Sequence, residues 1–292
     1  MRARHLLPAV LSLVLACGHG EVFTTPATGT DQPFQPGTPT RLTYNPLLDS
    51  EVAWSADGSA LIYTATRADE PNLSRCVEML PPGGGRSTRS ICPAPLIFDS
   101  TVALESAALS DSGRLAYLRS AKGPLNSGWI NRVLVSVSPD GMIRAVAATP
   151  FADPVQPYGG LSQLRWLDEN RLVYLAEDYH VVFCLGCVPY DQATPRVIVA
   201  VDLTTDPATF TIVPGTTGAT GVSVVGPDSI LYTLGGDAHV YRQVLSTGAV
   251  ASVWDFGAGT VRWAQRAGNR LTALVNGAAW LVDLGASTAT QV

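Results

Sequence analysis

Two glutamates have the clearest potential for acid–base chemistry in this sequence. Glu51 and Glu105 stand at the start of strand-like runs in two successive units of the chain, and Asp49 lies close by. Paired carboxyl groups around a central channel can hydrolyse glycosidic bonds, one acting as acid and the other as base or nucleophile. The matching places in the next three units hold only hydroxyl-bearing residues: Ser162, Thr220 and Thr260. We therefore interpret the carboxylates as hydrogen-bonded strand ends, and a glycan-active hydrolase is the alternative function.

Hydrolysis by a serine nucleophile has still less support in the sequence. His180 and His239 are the histidines outside the N-terminal segment, and no Gly-x-Ser-x-Gly motif is present. Such a nucleophile needs a histidine base and a carboxylate that orients it. The sequence therefore predicts a protein that is not an enzyme and requires no cofactor.

Cys76 and Cys92 are placed symmetrically about a glycine turn. Seven positions separate Cys76 from Gly83, and seven separate Gly85 from Cys92. In a hairpin that turns at these glycines the two cysteines face each other, and Cα atoms of opposed strand residues lie about 4.5 to 5.5 Å apart. That separation suits a disulfide, so the sequence predicts a bond between Cys76 and Cys92.

Cys184 and Cys187 form a Cys-x-x-Cys pair whose role the sequence leaves open. Such a pair can be a local disulfide, a redox centre or half of a zinc site, and Val188 excludes the usual c-type haem attachment motif. A zinc shell would need both His180 and His239 to converge on the pair. We interpret the pair as a loop-stabilising disulfide and expect no metal.

The elements that must position these residues are hairpins. Short turns divide strand-like runs at five places, Asp57-Gly58, Asp111-Ser112-Gly113, Asp168-Glu169-Asn170, Pro227-Asp228 and Gly268-Asn269. A second turn follows in each unit, at Gly83-Gly84-Gly85, Pro139-Asp140-Gly141, Thr205-Asp206-Pro207, Ser246-Thr247-Gly248 and Leu284-Gly285. Two hairpins make one four-stranded blade. The sequence predicts an all-β protein, a β-propeller of five four-stranded blades over residues 39–292, with six blades as the alternative.

Two further expectations follow from the blade pattern. Either residues 40–44 or residues 288–292 supply the outer strand that completes the last blade. Trp54, Trp166 and Trp263 occupy matching places on first strands, which predicts that their rings pack between neighbouring blades.

The first blade resembles a known repeat. Leu42-Thr43, the run Trp54-Ser55-Ala56-Asp57-Gly58 and Ile62-Tyr63 are similar to the repeat of TolB-type and related WD-like propellers. Ala56 stands where that repeat has proline, and the later copies are more divergent. The resemblance implies the fold. TolB carries an additional α/β domain in front of its propeller, so its partners are not carried over.

The N-terminus indicates export and lipidation. Arg2 and Arg4 precede an apolar stretch from Leu6 to Ala16, which is typical of a signal peptide over residues 1–16. Val14-Leu15-Ala16-Cys17 resembles the lipobox of bacterial lipoproteins, which implies that Cys17 carries the lipid. Residues 17–38 are rich in Thr, Pro and Gly and predict a flexible tether. By the same resemblance, Gly18 favours the outer membrane, so we expect a lipid-anchored protein of the bacterial cell envelope.

Charge and loop lengths bear on the partners. The net charge is −5, which argues against a nucleic-acid partner, and we expect membrane contact through the N-terminal lipid alone. Four long segments, Pro93–Leu104, Ser120–Asn131, Thr149–Gly160 and Glu177–Pro195, fall on one face of a propeller, where recognition often evolves. The candidate anchors there are Trp129, Phe151, Tyr158, Tyr179, His180 and Tyr190. The sequence thus predicts a non-catalytic module that binds an envelope protein or a glycan through this face.

Overall fold

The structure is a computed structural model that describes residues 42–43, 47–55, 58–66, 75–85, 87–92, 102–122, 129–147, 160–177, 179–182 and 190–292. These residues form strands and turns, which confirms the all-β prediction. Within them no helix is long and apolar enough to span a lipid bilayer.

Five four-stranded antiparallel blades form the propeller that the hairpin pattern predicts. Blade one contains β1 (Asp49–Trp54), β2 (Leu61–Thr66), β3 (Arg75–Leu80) and β4 (Arg89–Ile91). Blade two contains β5 (Val102–Leu109), β6 (Leu115–Lys122), β7 (Trp129–Val137) and β8 (Ile143–Ala147). One parallel pairing, Arg75 with Ala103, joins these two blades into a continuous sheet.

Blade three has an insertion. Its strands are β9 (Gly160–Trp166), β10 (Arg171–Glu177), β13 (Val197–Asp202) and β14 (Thr209–Ile212). Between β10 and β13 a separate hairpin is formed by β11 (Tyr179–Val182) and β12 (Tyr190–Ala193). The longest predicted loop segment therefore contains its own secondary structure.

Blades four and five are regular. Blade four contains β15 (Ala219–Gly226), β16 (Ser229–Leu234), β17 (His239–Val244) and β18 (Val250–Asp255). Blade five contains β19 (Val261–Ala267), β20 (Arg270–Val275), β21 (Ala278–Asp283) and β22 (Thr288–Gln291). Because β22 pairs with β21, the C-terminal segment supplies the outer strand of blade five. Of the two segments that the sequence offered, it is residues 288–292 that complete the last blade.

The first hairpins of blades one and two share one turn hydrogen bond. In blade one, Ser55 N donates to Ala60 O, and Gly58 N donates to Ser55 O at 3.0 Å. In blade two Gly113 N likewise donates to Ser110 O at 3.0 Å, while Ser110 N donates to Arg114 O, so the turn is one residue shorter. Gly113 has a φ of 84°, a region that favours glycine. The second repeat thus keeps the glycine bond of the first although its sequence differs.

Apolar clusters fill the seams between successive blades. Strand residues alternate between the two faces of a blade, so each blade contributes to two seams. In blade three, Leu172 and Tyr174 pack toward blade two, while Val173 and Leu175 pack toward blade four. Fully burying one such side chain contributes about 1.5 to 3 kcal/mol. Representative members of the four seams, in blade order, are Ile62 and Leu115, Leu118 and Leu164, Ile198 and Ile230, and Leu231 and Leu271.

The tryptophan prediction holds only in part. Trp166 is 8% exposed and packs in the seam between blades two and three. Trp54 occupies the matching place in blade one but is 44% exposed. Trp263 pairs with Leu274 near the start of β19, whereas Trp166 lies at the end of β9. Trp263 is therefore not equivalent to the other two, because it lies at the opposite end of its first strand.

Cys76 and Cys92 form the predicted disulfide, with Cα atoms 4.4 Å apart. They continue the β3–β4 ladder beyond the pair Val77 and Ile91. The buried carboxylate of Glu78, on the same face of β3, accepts hydrogen bonds from Ser87 Oγ at 2.6 Å and Ser90 Oγ at 2.7 Å. Because both sulfurs are covalently bonded, they are not available there as thiolate ligands.

Candidate functional site: the channel and the long-loop face

The innermost strands of the blades line a central channel, and each bulges near its start. Glu51, Ser106 and Gln163 have φ values of 56°, 48° and 56°, and the ladders change register beside them. Register shifts also occur in β15 at Ala219–Gly221 and in β19 at Val261–Trp263. A bulge turns a side chain out of the regular alternation. Here the bulges direct the side chains of Glu51, Ser106 and Gln163 toward the neighbouring blade.

The side chains at the bulges bind successive blades in order. Glu51 Oε2 accepts a hydrogen bond from Ser106 N at 2.6 Å, and Glu51 Oε1 accepts one from Ser106 Oγ at 2.9 Å. Ser106 Oγ in turn accepts a bond from Gln163 N at 3.0 Å. Blade one therefore holds blade two, and blade two holds blade three, through polar atoms beside the channel.

The same series continues to blade five. Gln163 Oε1 accepts from Val222 N at 2.9 Å, and Gln163 Nε2 donates to Thr220 O at 3.2 Å. Thr220 Oγ1 donates to Val261 O at 3.1 Å. We call this series from Glu51 to Val261 the inter-blade belt. It explains why non-glycine residues adopt a strained φ, since the bonds offset the backbone cost.

The two candidate catalytic carboxylates have different partners. Glu51 lines the channel and also accepts a bond from Thr64 Oγ1 at 3.2 Å, so its oxygens serve the belt. Glu105 pairs with Arg75 Nη1 on β3 at 2.9 Å and is not among the described residues that line the channel cavity. The bulge at Ser106 accounts for this, because it rotates successive side chains of β5 away from regular alternation. The two groups do not form a facing pair in the channel.

The channel opens into a cavity at each end, and Arg165 borders both. The cavity beside the belt has a volume of about 420 Å³ and is also lined by Arg262 and Trp263. The opposite cavity, of about 540 Å³, is lined by Trp54, Trp166 and Arg266. Desolvation lowers the pKa of Arg165 to about 10, although the charge of Glu51 opposes this. Arg165 remains a cation at neutral pH.

Strand direction identifies the two faces of the propeller. The starts of β1, β5 and β9 line the cavity beside the belt, and their ends line the opposite cavity. The links between blades, and those between the second and third strands of a blade, therefore lie at the belt end. We call this end the long-loop face. The links within blades one to three there are residues 67–74, 123–128 and 178–196, whereas those of blades four and five are only residues 235–238 and 276–277.

The predicted anchors on this face are placed by the backbone. Trp129 begins β7 opposite Lys122, directly after the long link of blade two. Tyr179, His180 and Tyr190 lie on the inserted hairpin, where Val182 pairs with Tyr190. Since this hairpin joins the end of β10 to the start of β13, its residues belong to the same face as Trp129. Five predicted positions lie outside the described residues: Cys17, Phe151, Tyr158, Cys184 and Cys187.

A polar cluster on blade four was not predicted. His239 Nδ1 lies 2.7 Å from Asp237 Oδ1, and His239 Nε2 lies 3.5 Å from Asp255 Oδ2. Tyr241 stacks on His239 and donates its hydroxyl to Asp237 Oδ2 at 2.6 Å. The hydrogen bond that His239 donates to the Asp237 carboxylate raises the pKa of His239, and the same carboxylate raises the pKa of Tyr241 to about 12. The cluster joins the β16–β17 turn to the end of β18.

An aromatic pocket beside this cluster was also missed. Trp254, Phe256 and Trp280 surround a cavity of about 320 Å³, with Asp255 and Asn276 at its wall. Phe256 makes edge-to-face contacts with Trp254 and Trp280, with ring centroids 6.3 Å and 5.8 Å apart. The pocket lies at the long-loop end of blades four and five, where the links are shortest. Its residues come from separate strands, so no local motif indicates it.

Comparisons with known proteins support the fold. No family model and no curated protein matches the chain. The chain is similar to a structure from the nidogen/laminin complex, with 10% identity and a TM-score of 0.51, over 88% of this chain and 86% of the other. It is also similar to TolB from Acinetobacter baumannii, with 13% identity and a TM-score of 0.49, over 87% of this chain.

The chain spans only 56% of the TolB chain. A puromycin-hydrolysing peptidase of Mycobacterium tuberculosis is similar at 12% identity and a TM-score of 0.48, over 87% of this chain and 39% of the peptidase. Identities this low concern the fold alone. The five four-stranded blades confirm the expected resemblance to propeller repeats as a likeness of fold.

Proposed function

We propose that this chain is a non-catalytic lipoprotein of the bacterial cell envelope whose propeller binds a protein or a glycan through the long-loop face. The observation that carries the proposal is the asymmetry of this face. The links within blades one to three are longer in sequence than those of blades four and five. Long connections on one side of a rigid scaffold are a common basis of recognition.

The bonding of the two glutamates supports a non-catalytic role. A retaining or inverting glycosidase needs two carboxyl groups that flank one bond, about 5 to 10 Å apart in an open site. Glu51 accepts three hydrogen bonds from Ser106 and Thr64, and Glu105 is paired with Arg75. These contacts leave the glutamates with structural partners, so the hydrolase is the weaker alternative.

The inserted hairpin is the element that best suits partner contact. It carries Tyr179, His180 and Tyr190 on a two-stranded sheet separate from the blades. Aromatic residues supply much of the binding energy at protein interfaces. We therefore assign partner binding to this hairpin together with the start of β7 at Trp129.

Site-specific photo-crosslinking on intact cells tests the proposal. A photoreactive amino acid placed at Trp129 or Tyr179 should yield a discrete cross-linked species. The matched control is Met142, which is 68% exposed in a hairpin turn on the opposite face. The proposal fails if cross-linking at Met142 equals that at Trp129 and Tyr179, or if neither of the two long-loop positions gives a product.

A further inference from the structure

The tryptophans of the aromatic pocket differ from the structural tryptophan of the core. Trp166, buried between blades two and three, donates its Nε1–H to Ala108 O at 3.0 Å. Within the described chain neither Trp254 nor Trp280 has such an acceptor. Neither of their indole nitrogens is fully buried. Both N–H groups are therefore open to solvent. An indole N–H that becomes buried usually has a hydrogen-bond acceptor. A ligand that covers these two groups could supply that acceptor.

Three polar side chains add further hydrogen-bonding capacity to the pocket. Asp255 Oδ1 accepts from Gly257 N at 2.7 Å, and its Oδ2 is shared only with His239 at 3.5 Å. Asn276 Oδ1 accepts from Thr260 N at 2.9 Å, which leaves its amide NH₂ as a donor. Gln291, at the end of β22, is exposed and has no side-chain bond in the described part of the chain. The pocket thus offers donors and acceptors.

The chemistry of the lining restricts the ligand. No lysine or arginine is among the described lining residues, so a phosphate or carboxylate would find no counter-charge. A purely apolar ligand would bury Asp255 and the amides without hydrogen-bond partners, which is unfavourable for each group. A quaternary ammonium could contact the rings and the carboxylate, but it carries no acceptor for the indole and amide donors.

A sugar ring satisfies all of these groups. Its C–H faces can pack on the aromatic rings, while its hydroxyl groups both donate and accept. The cavity volume of about 320 Å³ is at the small end of the usual range for small-molecule sites. An α-helix with its side chains is about 10 to 12 Å across, so a folded protein segment would fill the cavity poorly.

We infer that the aromatic pocket between blades four and five is a binding site for a neutral saccharide unit of a glycan. The inference rests on the proposed role of the chain as a binding module, and it assigns the glycan to this pocket. Trp254 and Trp280 supply stacking surfaces and N–H donors, and Asp255, Asn276 and Gln291 bind hydroxyl groups.

Calorimetric titration of the full-length protein in detergent tests the site. The probes are maltotriose, cellotriose and triacetylchitotriose, with choline chloride and glucose 6-phosphate as the cationic and anionic comparisons. At least one neutral trisaccharide should bind, and the two charged compounds should not. Absence of binding by all three trisaccharides, or binding of choline alone, would overturn the inference.

Two substitutions connect binding to the pocket. Trp280→Ala should weaken trisaccharide binding at least tenfold, and Gln291→Ala should weaken it several-fold. Gln291 is exposed at the end of an outer strand, so its variant decides the question if Trp280→Ala unfolds. Trp54→Ala, which removes an exposed tryptophan at the opposite channel mouth, is the matched control and should bind like the native protein.

The result separates the two proposals. If trisaccharides bind equally to the native protein, Trp280→Ala and Gln291→Ala, the pocket is not the site. Cross-links at Trp129 and Tyr179 would then still support partner binding through the long-loop face. If instead no cross-links form at Trp129 and Tyr179 but sugars bind and this binding depends on Trp280, the assignment of protein contact to the long-loop face is wrong. The pocket is then still supported as the sugar site.

Discussion

Glu51 lies beside the channel, yet its oxygens bind Ser106 and Thr64. Its position at the start of a first strand was evident from the sequence. Its role was not, because that role depends on a φ of 56° at Glu51 and on a second bulge at Ser106. Hydrogen bonds to a charged acceptor contribute about 1.5 to 3 kcal/mol each, more than neutral ones. At this residue the carboxylate is therefore best understood as an inter-blade contact.

Glu51→Gln should lower the free energy of unfolding by about 1 to 3 kcal/mol. The amide that replaces one oxygen is a donor and would face the donors of Ser106 and Thr64. Urea denaturation measures the change. The control is Asp206→Asn. The Asp206 side chain is 99% exposed, and its Oδ1 lies 3.8 Å from Arg144 Nη2, a long surface ion pair whose loss should have almost no effect on stability. Equal stability of Glu51→Gln and the native protein would contradict the belt.

His239 should make the stability of blade four depend on pH. Its pKa lies above its ordinary value of 6.5, first because Asp237 accepts its hydrogen bond and also because Asp255 and Asp237 are anionic. Protonation is then favoured in the folded state, so this stabilisation is fully present below about pH 6.5. It is lost as the pH rises through the raised folded pKa. Tyr241, the other titratable group that contacts His239, has a pKa of about 12 and stays neutral throughout this range.

The measurement compares the melting temperatures of the native protein and His239→Gln from below pH 6.5 to above the raised pKa of His239. The melting temperature of the native protein should exceed that of the variant most at the lowest pH, and this excess should shrink as the pH rises. An NMR titration that places the His239 pKa at or below 6.5 would refute the expectation.

At the scale of the strand, Gly221 shows how closely the inner strands approach each other. A Cβ at this position would lie 2.7 Å from Arg262 O and 2.8 Å from Trp263 Cα on blade five. These contacts are with backbone, which cannot yield as a flexible side chain would. Gly221 adjoins the register shift of β15, and glycine is required there because of this proximity.

Gly221→Ala should destabilise the protein by about 1 to 3 kcal/mol, the usual cost of overpacking. Gly226→Ala on the same strand is the matched control, since its Cβ would have no neighbour within 4 Å. That control should be neutral or slightly stabilising, because alanine restricts the unfolded chain. The interpretation is wrong if the two variants unfold at the same denaturant concentration.

The elements were largely predictable and the sites were not. Turns such as Ser110–Gly113 carry their own local signal, and the symmetry of Cys76 and Cys92 about Gly84 located a disulfide. The aromatic pocket combines Trp254 on β18, Trp280 on β21 and Gln291 on β22. Each is an ordinary strand residue in its own segment. Only the packing of blade four on blade five brings them together, and no short-range pattern records that packing.

At the scale of the molecule, the proposed anchor and the propeller are separable. Leu42 packs against Leu61 and Leu80 of blade one, and its carbonyl accepts a bond from Gly85 N at 3.3 Å. The outer strand of blade five comes from β22. The folded blades therefore do not take an outer strand from residues near the expected lipid site.

Cys17→Ser should abolish incorporation of a radiolabelled fatty acid and release the protein from the membrane fraction. The purified variant should still melt cooperatively at the native temperature, because the contacts of Leu42 and β22 are unchanged. Cys17 lies outside the described residues, so its assignment depends on the resemblance to a lipobox. Unchanged labelling of the variant would refute it.

The inter-blade belt also bears on how this chain can evolve. The linking side chains are Glu51, Ser106, Gln163 and Thr220, which supply a carboxylate, two hydroxyls and an amide, and each meets a different partner. A blade copied into another position would present the wrong group to its new neighbour, for example a carboxylate to a carbonyl. Tandem repeats ordinarily gain and lose copies by recombination between similar units. Here most units bind their neighbours through a group that another unit does not carry, so the polar contacts favour the present order of the blades.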